Sequence, residues 1–118
     1  MLNNYIGGEW RRARPAAALP VRNPATEEVL AHAPLSSAAD AADAAEAAAR
    51  AFPGWRRVPA GERVQFLFRL KALLEENLED LAGTITAECG KTLAESRGEM
   101  RRAIENTEVA CGIPSLMQ

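Results

Sequence analysis

Residues 92–112 read TLAESRGEMRRAIENTEVACG, and this stretch predicts a long α-helix. Thr92 and Glu95 have the spacing of a capping box, in which each side chain hydrogen-bonds the backbone of the other residue. Apolar and small side chains recur on one face, at Leu93, Met100, Ala103, Ile104, Thr107 and Cys111. Polar side chains form the opposite face, at Glu95, Glu99, Arg102 and Asn106, with Val109 beside them. Gly112 and Pro114 predict the end of the helix.

Arg102 lies opposite the apolar face, and two interpretations fit its position. It can be a solvated arginine that pairs with Glu99 or Glu105, each three residues away on the helix. Alternatively, because Val109 brings an apolar side chain to the same side, Arg102 can hold a substrate carboxylate by two parallel hydrogen bonds. The pattern alone favours the solvated arginine.

An alanine-rich stretch predicts an earlier helix. Ser37 can cap its first turn, and Asp40, three residues later, completes a second capping box. The alanines that continue to Ala51 have the highest helix propensity of all residues. Pro53-Gly54 then predicts the end of this helix.

A third helical region lies between the other two, from about Gly61 to Ala87, with a break at Asn77. Asn77 and Asp80 predict a new N-cap at the break, and Gly90 predicts a C-cap after it. The apolar side chains before the break cover an arc of roughly 220°, whereas a helix resting on one core needs about 100°. They are Val64, Phe66, Leu67, Phe68, Leu70, Leu73 and Leu74. We therefore expect this helix to pack against protein on two sides.

Residues 1–35 predict strands and turns, and residues 36–118 predict helices. Two turn signals, Gly7-Gly8 and Asn23–Thr26, divide the first part into short runs. The runs that resemble strands are Asn4–Ile6, Glu9–Trp10, Val21–Arg22 and Val29–Ala31. Pro15 and Pro20 keep the segment near them extended or looped. We expect an antiparallel β-hairpin to pair these runs.

The composition is typical of a soluble globular protein, with 47% hydrophobic and 25% charged residues in a chain of 118. This length suits one domain. The net charge of −2 argues against a surface that binds nucleic acid or a charged membrane, so we interpret Arg11–Arg14 as a solvated loop. No apolar run reaches the roughly 18 residues of a membrane span, and the start lacks the features of a secretory signal.

Cysteine and histidine are too few for a disulfide framework or a metal site, since the chain has only Cys89, Cys111 and His32. Two free thiols indicate the reducing cytoplasm. Cys111 lies on the apolar face of its helix, so packing explains it better than nucleophilic chemistry. Gly90-Lys91-Thr92 resembles the end of a phosphate-binding loop, but that loop requires a glycine where Ile85 stands.

Four blocks, in order along nearly the whole chain, resemble the amino-terminal part of the aldehyde dehydrogenase superfamily. They are Tyr5–Trp10, Asn23–Val29, Ala51–Trp55 and Glu88–Leu93. Glu27 stands where the family usually has glycine, so we expect a looser turn there. The resemblance implies an α/β parent fold. Residues 1–118 would be the N-terminal segment of its cofactor-binding domain, with a β-hairpin followed by three or four α-helices.

The last residues narrow the resemblance, because Arg102–Glu105 and Ala110–Met117 resemble the methylmalonate-semialdehyde dehydrogenases. This implies NAD-dependent oxidation of malonate or methylmalonate semialdehyde by a cysteine nucleophile. Coenzyme A then accepts the acyl group as the carboxylate is lost, giving acetyl-CoA or propionyl-CoA. The resemblance also implies that the enzyme functions in valine and inositol breakdown and assembles as a homodimer or homotetramer. It matches Arg102 to an arginine that faces the substrate tunnel and holds the semialdehyde carboxylate.

The resemblance further implies that the catalytic groups lie beyond residue 118. The family's nucleophile, general-base glutamate, oxyanion asparagine and dinucleotide-binding strands match no residue in this sequence. We therefore assign no catalytic, cofactor-binding or metal-binding residue and expect these residues alone to be inactive. Two alternatives stay open. One is another aldehyde dehydrogenase, such as one for succinate semialdehyde. The other is a non-enzymatic helical module that binds partners or oligomerises through its apolar faces.

Overall fold

The structure is a computed structural model that describes residues 1–14 and 17–117. Pro15, which the sequence predicts to keep its segment extended, lies outside the described residues. The chain divides into two compact units, Met1–Arg57 and a second unit that begins at Val58. The strands are β1 (Asn4–Ile6), β2 (Glu9–Arg11), β3 (Ala18–Arg22) and β4 (Val29–Pro34). The helices are α1 (Ala38–Trp55), α2 (Ala60–Glu76), α3 (Leu78–Cys89), α4 (Leu93–Cys111) and α5 (Ile113–Leu116).

A two-residue turn closes the first hairpin, in which β1 pairs antiparallel with β2. Gly7 and Gly8 have φ angles of 64° and 86°, as in the tight turns that match the twist of the flanking strands. Only glycine adopts two such angles in succession at little cost. Tyr5 is opposite Trp10 in the register, and their ring centroids are 5.0 Å apart.

The second hairpin pairs β3 antiparallel with β4, with a bulge between Val21 and Arg22. In its turn the Glu27 amide donates to the Asn23 carbonyl at 2.8 Å, and the Asn23 amide donates to the Glu28 carbonyl at 2.9 Å. Glu27 has a φ of 61°, the left-handed conformation that glycine adopts most easily. The expectation of a looser turn is wrong, because hydrogen bonds hold Glu27 in the conformation that a glycine would take.

Helix α1 begins as the sequence predicts. The Asp40 amide donates to Ser37 Oγ at 3.2 Å, and the Asp40 carboxylate accepts from the Ser37 amide at 2.8 Å. Hydrogen bonds to the Asp40 carboxylate, first from the Ser37 amide and then from the Ser37 hydroxyl at 2.8 Å, hold the pKa of this carboxyl below its ordinary value. The helix continues past Pro53 to Trp55, so the end predicted at Pro53-Gly54 comes too early. A proline in the last turn removes its own amide donor but leaves the others in place.

The interpretation of Arg11–Arg14 as a solvated loop is confirmed in part. Arg11, Arg12 and Arg14 are exposed and residues 12–14 lie outside the strands, but Arg11 and Arg14 have carboxylate partners. Arg11 is the last residue of β2 and pairs with Glu9 at 3.1 Å. Ala13 is buried. Arg14 pairs with Asp43 of α1, and its Nε lies 3.9 Å from an Asp40 carboxylate oxygen. The partners of Arg14 come from a helix far along the chain, so a local charge pattern does not reveal them.

A small apolar core holds the second unit together. It contains Leu78 and Ala82 of α3 and Met100 and Ile104 of α4. The half-buried side chains of Leu74, Leu81 and Ile85 pack against it. Beside this core, Thr86 Oγ1 and the buried Ser96 Oγ are hydrogen-bonded at 2.9 Å. This bond gives both hydroxyls a partner between α3 and α4, as buried polar groups require.

Helix α2 keeps much of its apolar surface open. Val64 is buried, but Phe68, Leu70 and Leu73 are each about half exposed. This exposure agrees with the broad apolar arc, which predicts packing on a second side. Lys71 ties α2 to α4, since its Nζ lies 3.1 Å from carboxylate oxygens of both Glu75 and Glu108.

Helices α2 and α3 separate at Asn77, as predicted, but the Asn77 side chain does not cap α3. Its Nδ2 instead donates to the Leu73 carbonyl at 2.8 Å. Asn77 therefore stabilises the end of α2 rather than the start of α3, because it satisfies one of the unpaired carbonyls of the last turn. Gly90 ends α3 with a φ of 70°, the left-handed C-cap that the sequence predicts.

The structure has more elements than the expected hairpin and three or four helices. Among the described residues there are two hairpins and five helices. Gly112 ends α4 as predicted, but Pro114 lies in the first turn of α5, where no amide hydrogen is needed. No helix in residues 1–14 and 17–117 is long and apolar enough to cross a membrane.

Candidate functional site

The candidate site is the exposed face of α4 around Arg102, and a capping box fixes where this helix begins. The Glu95 amide donates to Thr92 Oγ1 at 3.3 Å. The Glu95 carboxylate accepts from the Thr92 hydroxyl at 2.8 Å and from its amide at 3.0 Å. These bonds, first from the hydroxyl and then from the amide, hold the pKa of Glu95 below its ordinary value. The box predicted from the sequence is confirmed.

Packing fixes the rotation of α4 about its axis. Ser96, Met100 and Ile104 are buried at intervals of four residues, so they mark the inner face of the helix. Arg102 lies two residues from both Met100 and Ile104 and therefore points to the opposite side. Its side chain is exposed. The same contacts that build the core thus turn Arg102 away from it.

A charged pair lies beside Arg102. Lys91 Nζ, in the connection before α4, forms an ion pair with the Glu99 carboxylate. The pKa of Glu99 is held below its ordinary value, first by the hydrogen bond from Lys91 and to a smaller extent by the charge of Arg102. The hydrogen bond to Glu99 in turn raises the pKa of Lys91.

Arg102 itself belongs to none of the ion pairs found among residues 1–14 and 17–117. The sequence leaves open a pair between Arg102 and Glu99 or Glu105. In the structure Glu99 pairs with Lys91 instead. The guanidinium, with donors in one plane, is therefore left to face solvent.

An apolar side chain shares this face. Val109 is seven residues after Arg102, two turns further along the helix, and is 75% exposed. Asn106 lies between them on the same side and is also exposed. The face therefore combines a cation with a neighbouring apolar surface, an arrangement that can hold a small molecule with a carboxylate and a short carbon chain.

The start of α4 does not fit a nucleotide phosphate. Gly90 caps α3, which is a helix and not the strand that a phosphate-binding loop requires. The Thr92 amide donates to the Glu95 carboxylate and the Glu95 amide donates to Thr92 Oγ1, and a carboxylate at this position repels an anion.

The two thiols lie at helix ends. Cys89 is exposed at the end of α3, and Cys111 is half-buried at the end of α4. Within the described part of the chain, no group of three or more histidine, cysteine, aspartate or glutamate side chains could hold a metal ion.

Sequence reasoning does not single out Lys91 as part of this site. Lys91 lies between the cap of α3 and the cap of α4, and Glu99 is eight residues further along the chain. Helical spacing relates residues within one helix, so it does not pair a connecting residue with the next helix. The pair would have been found only from the geometry of the turn between α3 and α4.

Comparison with known proteins gives a family for this chain. The sequence pattern of the aldehyde dehydrogenase family matches residues 10–118. Malonate-semialdehyde dehydrogenase 2 of Oceanobacillus iheyensis is 48% identical over 116 residues, which is 98% of this chain and 24% of that enzyme. The chain thus spans about a quarter of the length of the curated relatives it matches.

Two solved structures show the same likeness. A protein assigned as a methylmalonate-semialdehyde dehydrogenase from Sinorhizobium meliloti, solved with NAD, superposes with a TM-score of 0.90 and 33% identity over 96% of this chain and 23% of that one. Succinate-semialdehyde dehydrogenase from Burkholderia pseudomallei superposes with a TM-score of 0.84 and 44% identity over 88% of this chain and 22% of that one. The two hairpins and five helices match the amino-terminal region of this α/β fold.

Proposed function

The chain belongs to the aldehyde dehydrogenase family, and from this premise we propose that it is the N-terminal segment of an NAD-dependent, CoA-acylating dehydrogenase for malonate or methylmalonate semialdehyde. The observation that carries the proposal is the 48% identity to a malonate-semialdehyde dehydrogenase over 98% of the chain. The likeness to the Sinorhizobium meliloti protein, at 33% identity, supports the same substrate class.

The part of the site that this segment supplies is a grip on the substrate carboxylate. Arg102 presents planar donors on the open face of α4, and a guanidinium binds a carboxylate through two parallel hydrogen bonds. Val109 offers an apolar surface to the carbon chain of the substrate. Holding the carboxylate orients the aldehyde carbon toward the reacting groups, which lowers the entropy lost in the reaction.

NAD would accept the hydride from the substrate, and coenzyme A would accept the acyl group. We assign neither cofactor to a described residue, because the start of α4 carries the Glu95 carboxylate and Gly90 caps a helix. This segment's contribution to catalysis is therefore substrate binding and orientation.

We further propose that the enzyme works in the cytoplasm as a homodimer or homotetramer. Its two free thiols, Cys89 and Cys111, are consistent with a reducing compartment.

Substrate and cofactor dependence in a full-length enzyme that carries this segment tests the proposal. We expect NADH formation from malonate semialdehyde to require CoA and acetyl-CoA to accumulate with it. Residues 1–118 alone serve as the negative control, and we expect them to form no NADH under the same conditions. CoA-independent turnover with a preference for succinate semialdehyde would overturn the proposed substrate and acyl acceptor.

Succinate semialdehyde is the second candidate substrate, because the Burkholderia pseudomallei enzyme shares 44% identity over 88% of the chain. Succinate semialdehyde also carries a carboxylate, so Arg102 would bind it equally well.

A helical module without enzymatic activity is the remaining alternative, since Phe68, Leu70 and Leu73 leave an apolar surface on α2. If residues 1–118 alone form a compact folded monomer or a defined oligomer by size-exclusion chromatography, that result would favour such a module over a segment that needs the rest of an enzyme.

A further inference from the structure

We propose that Lys91 is a positioning residue for Arg102: by holding the Glu99 carboxylate, it keeps that carboxylate from pairing with the arginine that grips the substrate. This inference rests on the proposed function, and it gives Lys91 an indirect part in binding the substrate carboxylate. It predicts that the charge of Glu99 matters to substrate binding only when Lys91 is absent.

The geometry provides both a competitor and its restraint. Glu99 lies three residues before Arg102 on α4, the spacing at which helical side chains form ion pairs. Lys91 reaches Glu99 from the connection between α3 and α4 and forms an ion pair with it. Arg102 and Glu99 also influence each other electrostatically, since the charge of Arg102 contributes to the lowered pKa of Glu99. The two groups are therefore close enough to compete.

The expected effect is modest because the pair is open to water. The side chains of Lys91 and Glu99 are 44% and 42% exposed, and exposed ion pairs are weakened by solvent. If the substrate carboxylate must first displace Glu99 from Arg102, the binding free energy falls by no more than the strength of one helical ion pair. We therefore expect the loss of Lys91 to raise the KM for the semialdehyde about 1.5- to 2-fold.

Steady-state kinetics of four variants of a full-length enzyme carrying this segment test the proposal. Lys91→Met should raise the KM for malonate semialdehyde about 1.5- to 2-fold, with no matching change in kcat or in the KM for propionaldehyde. Lys91→Arg should keep the original KM, because it preserves the pair with Glu99. The double variant Lys91→Met/Glu99→Gln should also restore it, since the uncharged glutamine forms no ion pair with Arg102. Lys71→Met is the matched control, because Lys71 pairs with Glu108 of the same helix but not beside Arg102.

Each remaining outcome overturns the proposal in a recognisable way. A raised KM that persists in the double variant means that Lys91 contacts the substrate itself. An unchanged KM in Lys91→Met, with a raised KM in Arg102→Met, leaves the proposed substrate grip intact and removes only the role of Lys91. If Arg102→Met also has no effect, both assignments fall, while the CoA dependence of the enzyme still decides its reaction independently.

Discussion

The inner and outer faces of α4 belong to one helix but are held in place by different forces. Ser96, Met100 and Ile104 on the inner face are buried against α3 and fix the helix in position. Arg102 and Val109 on the outer face contact no core and owe their direction to the inner face alone. Burial therefore explains the fold of this segment, whereas its proposed function depends on side chains that burial leaves free.

The largest expected effect comes from the inner face. Ile104 is 3% exposed, and Ile104→Ala should lower the free energy of unfolding by about 2–5 kcal/mol, because it removes buried methyl groups and leaves a cavity. Chemical denaturation of the full-length enzyme, followed by far-ultraviolet circular dichroism, measures this loss.

Val109→Ala is the matched control on the outer face. Val109 is 75% exposed, so its truncation should change the free energy of unfolding by no more than about 0.5 kcal/mol. Equal losses for Ile104→Ala and Val109→Ala would mean that the outer face is packed as well, and the contrast between the faces would disappear.

A smaller expected effect is the pH dependence of stability, to which Glu99 on the outer side of α4 contributes and the inner face does not. The pKa of Glu99 is lowered from its ordinary value of 4.5, first by the hydrogen bond from Lys91. A lowered pKa stabilises the folded state above the ordinary value, and this contribution is lost as the pH falls through the lower, folded-state value. Glu99→Gln should therefore remove part of the loss of stability seen below about pH 4.5.

Unfolding midpoints measured at intervals between about pH 5 and pH 3 give this slope. Met100→Leu, on the inner face and without a titratable group, should leave the slope unchanged. If Glu99→Gln and the wild type lose stability in parallel over this range, the Lys91–Glu99 pair does not contribute to the folded state as described.

Local signals in the sequence predict much of the fold. Both capping boxes, Ser37 with Asp40 and Thr92 with Glu95, are confirmed, because each depends on residues three apart. The break at Asn77 and the C-cap at Gly90 are confirmed for the same reason. Such features are set within one turn of the chain, so one sequence is enough to predict them.

The features that the sequence misses depend on distant partners or on alternatives within a turn. Arg14 has its carboxylate partners on α1, and no local pattern relates them. The Asn77 side chain had two helix ends within reach and bonds the carbonyl of Leu73 rather than the amides of α3. Glu27 adopts a left-handed conformation because its turn is closed by backbone hydrogen bonds, which its side chain does not indicate.

The candidate site shows the same division. Helical spacing predicts that Arg102 and Val109 share a face opposite Met100 and Ile104, and the exposed and buried side chains agree. The spacing does not decide which cation Glu99 pairs with, because Lys91 approaches from outside the helix. The role of Arg102 as the grip on the substrate carboxylate stays a prediction.

Kinetics of Arg102→Met in a full-length enzyme carrying this segment test that central claim most directly. Loss of charged hydrogen bonds to a carboxylate should raise the KM for malonate semialdehyde at least about tenfold. The KM for propionaldehyde, which has no carboxylate, should change by less than about twofold. Equal changes for the two aldehydes would contradict the account, because Arg102 would then contribute nothing specific to the carboxylate.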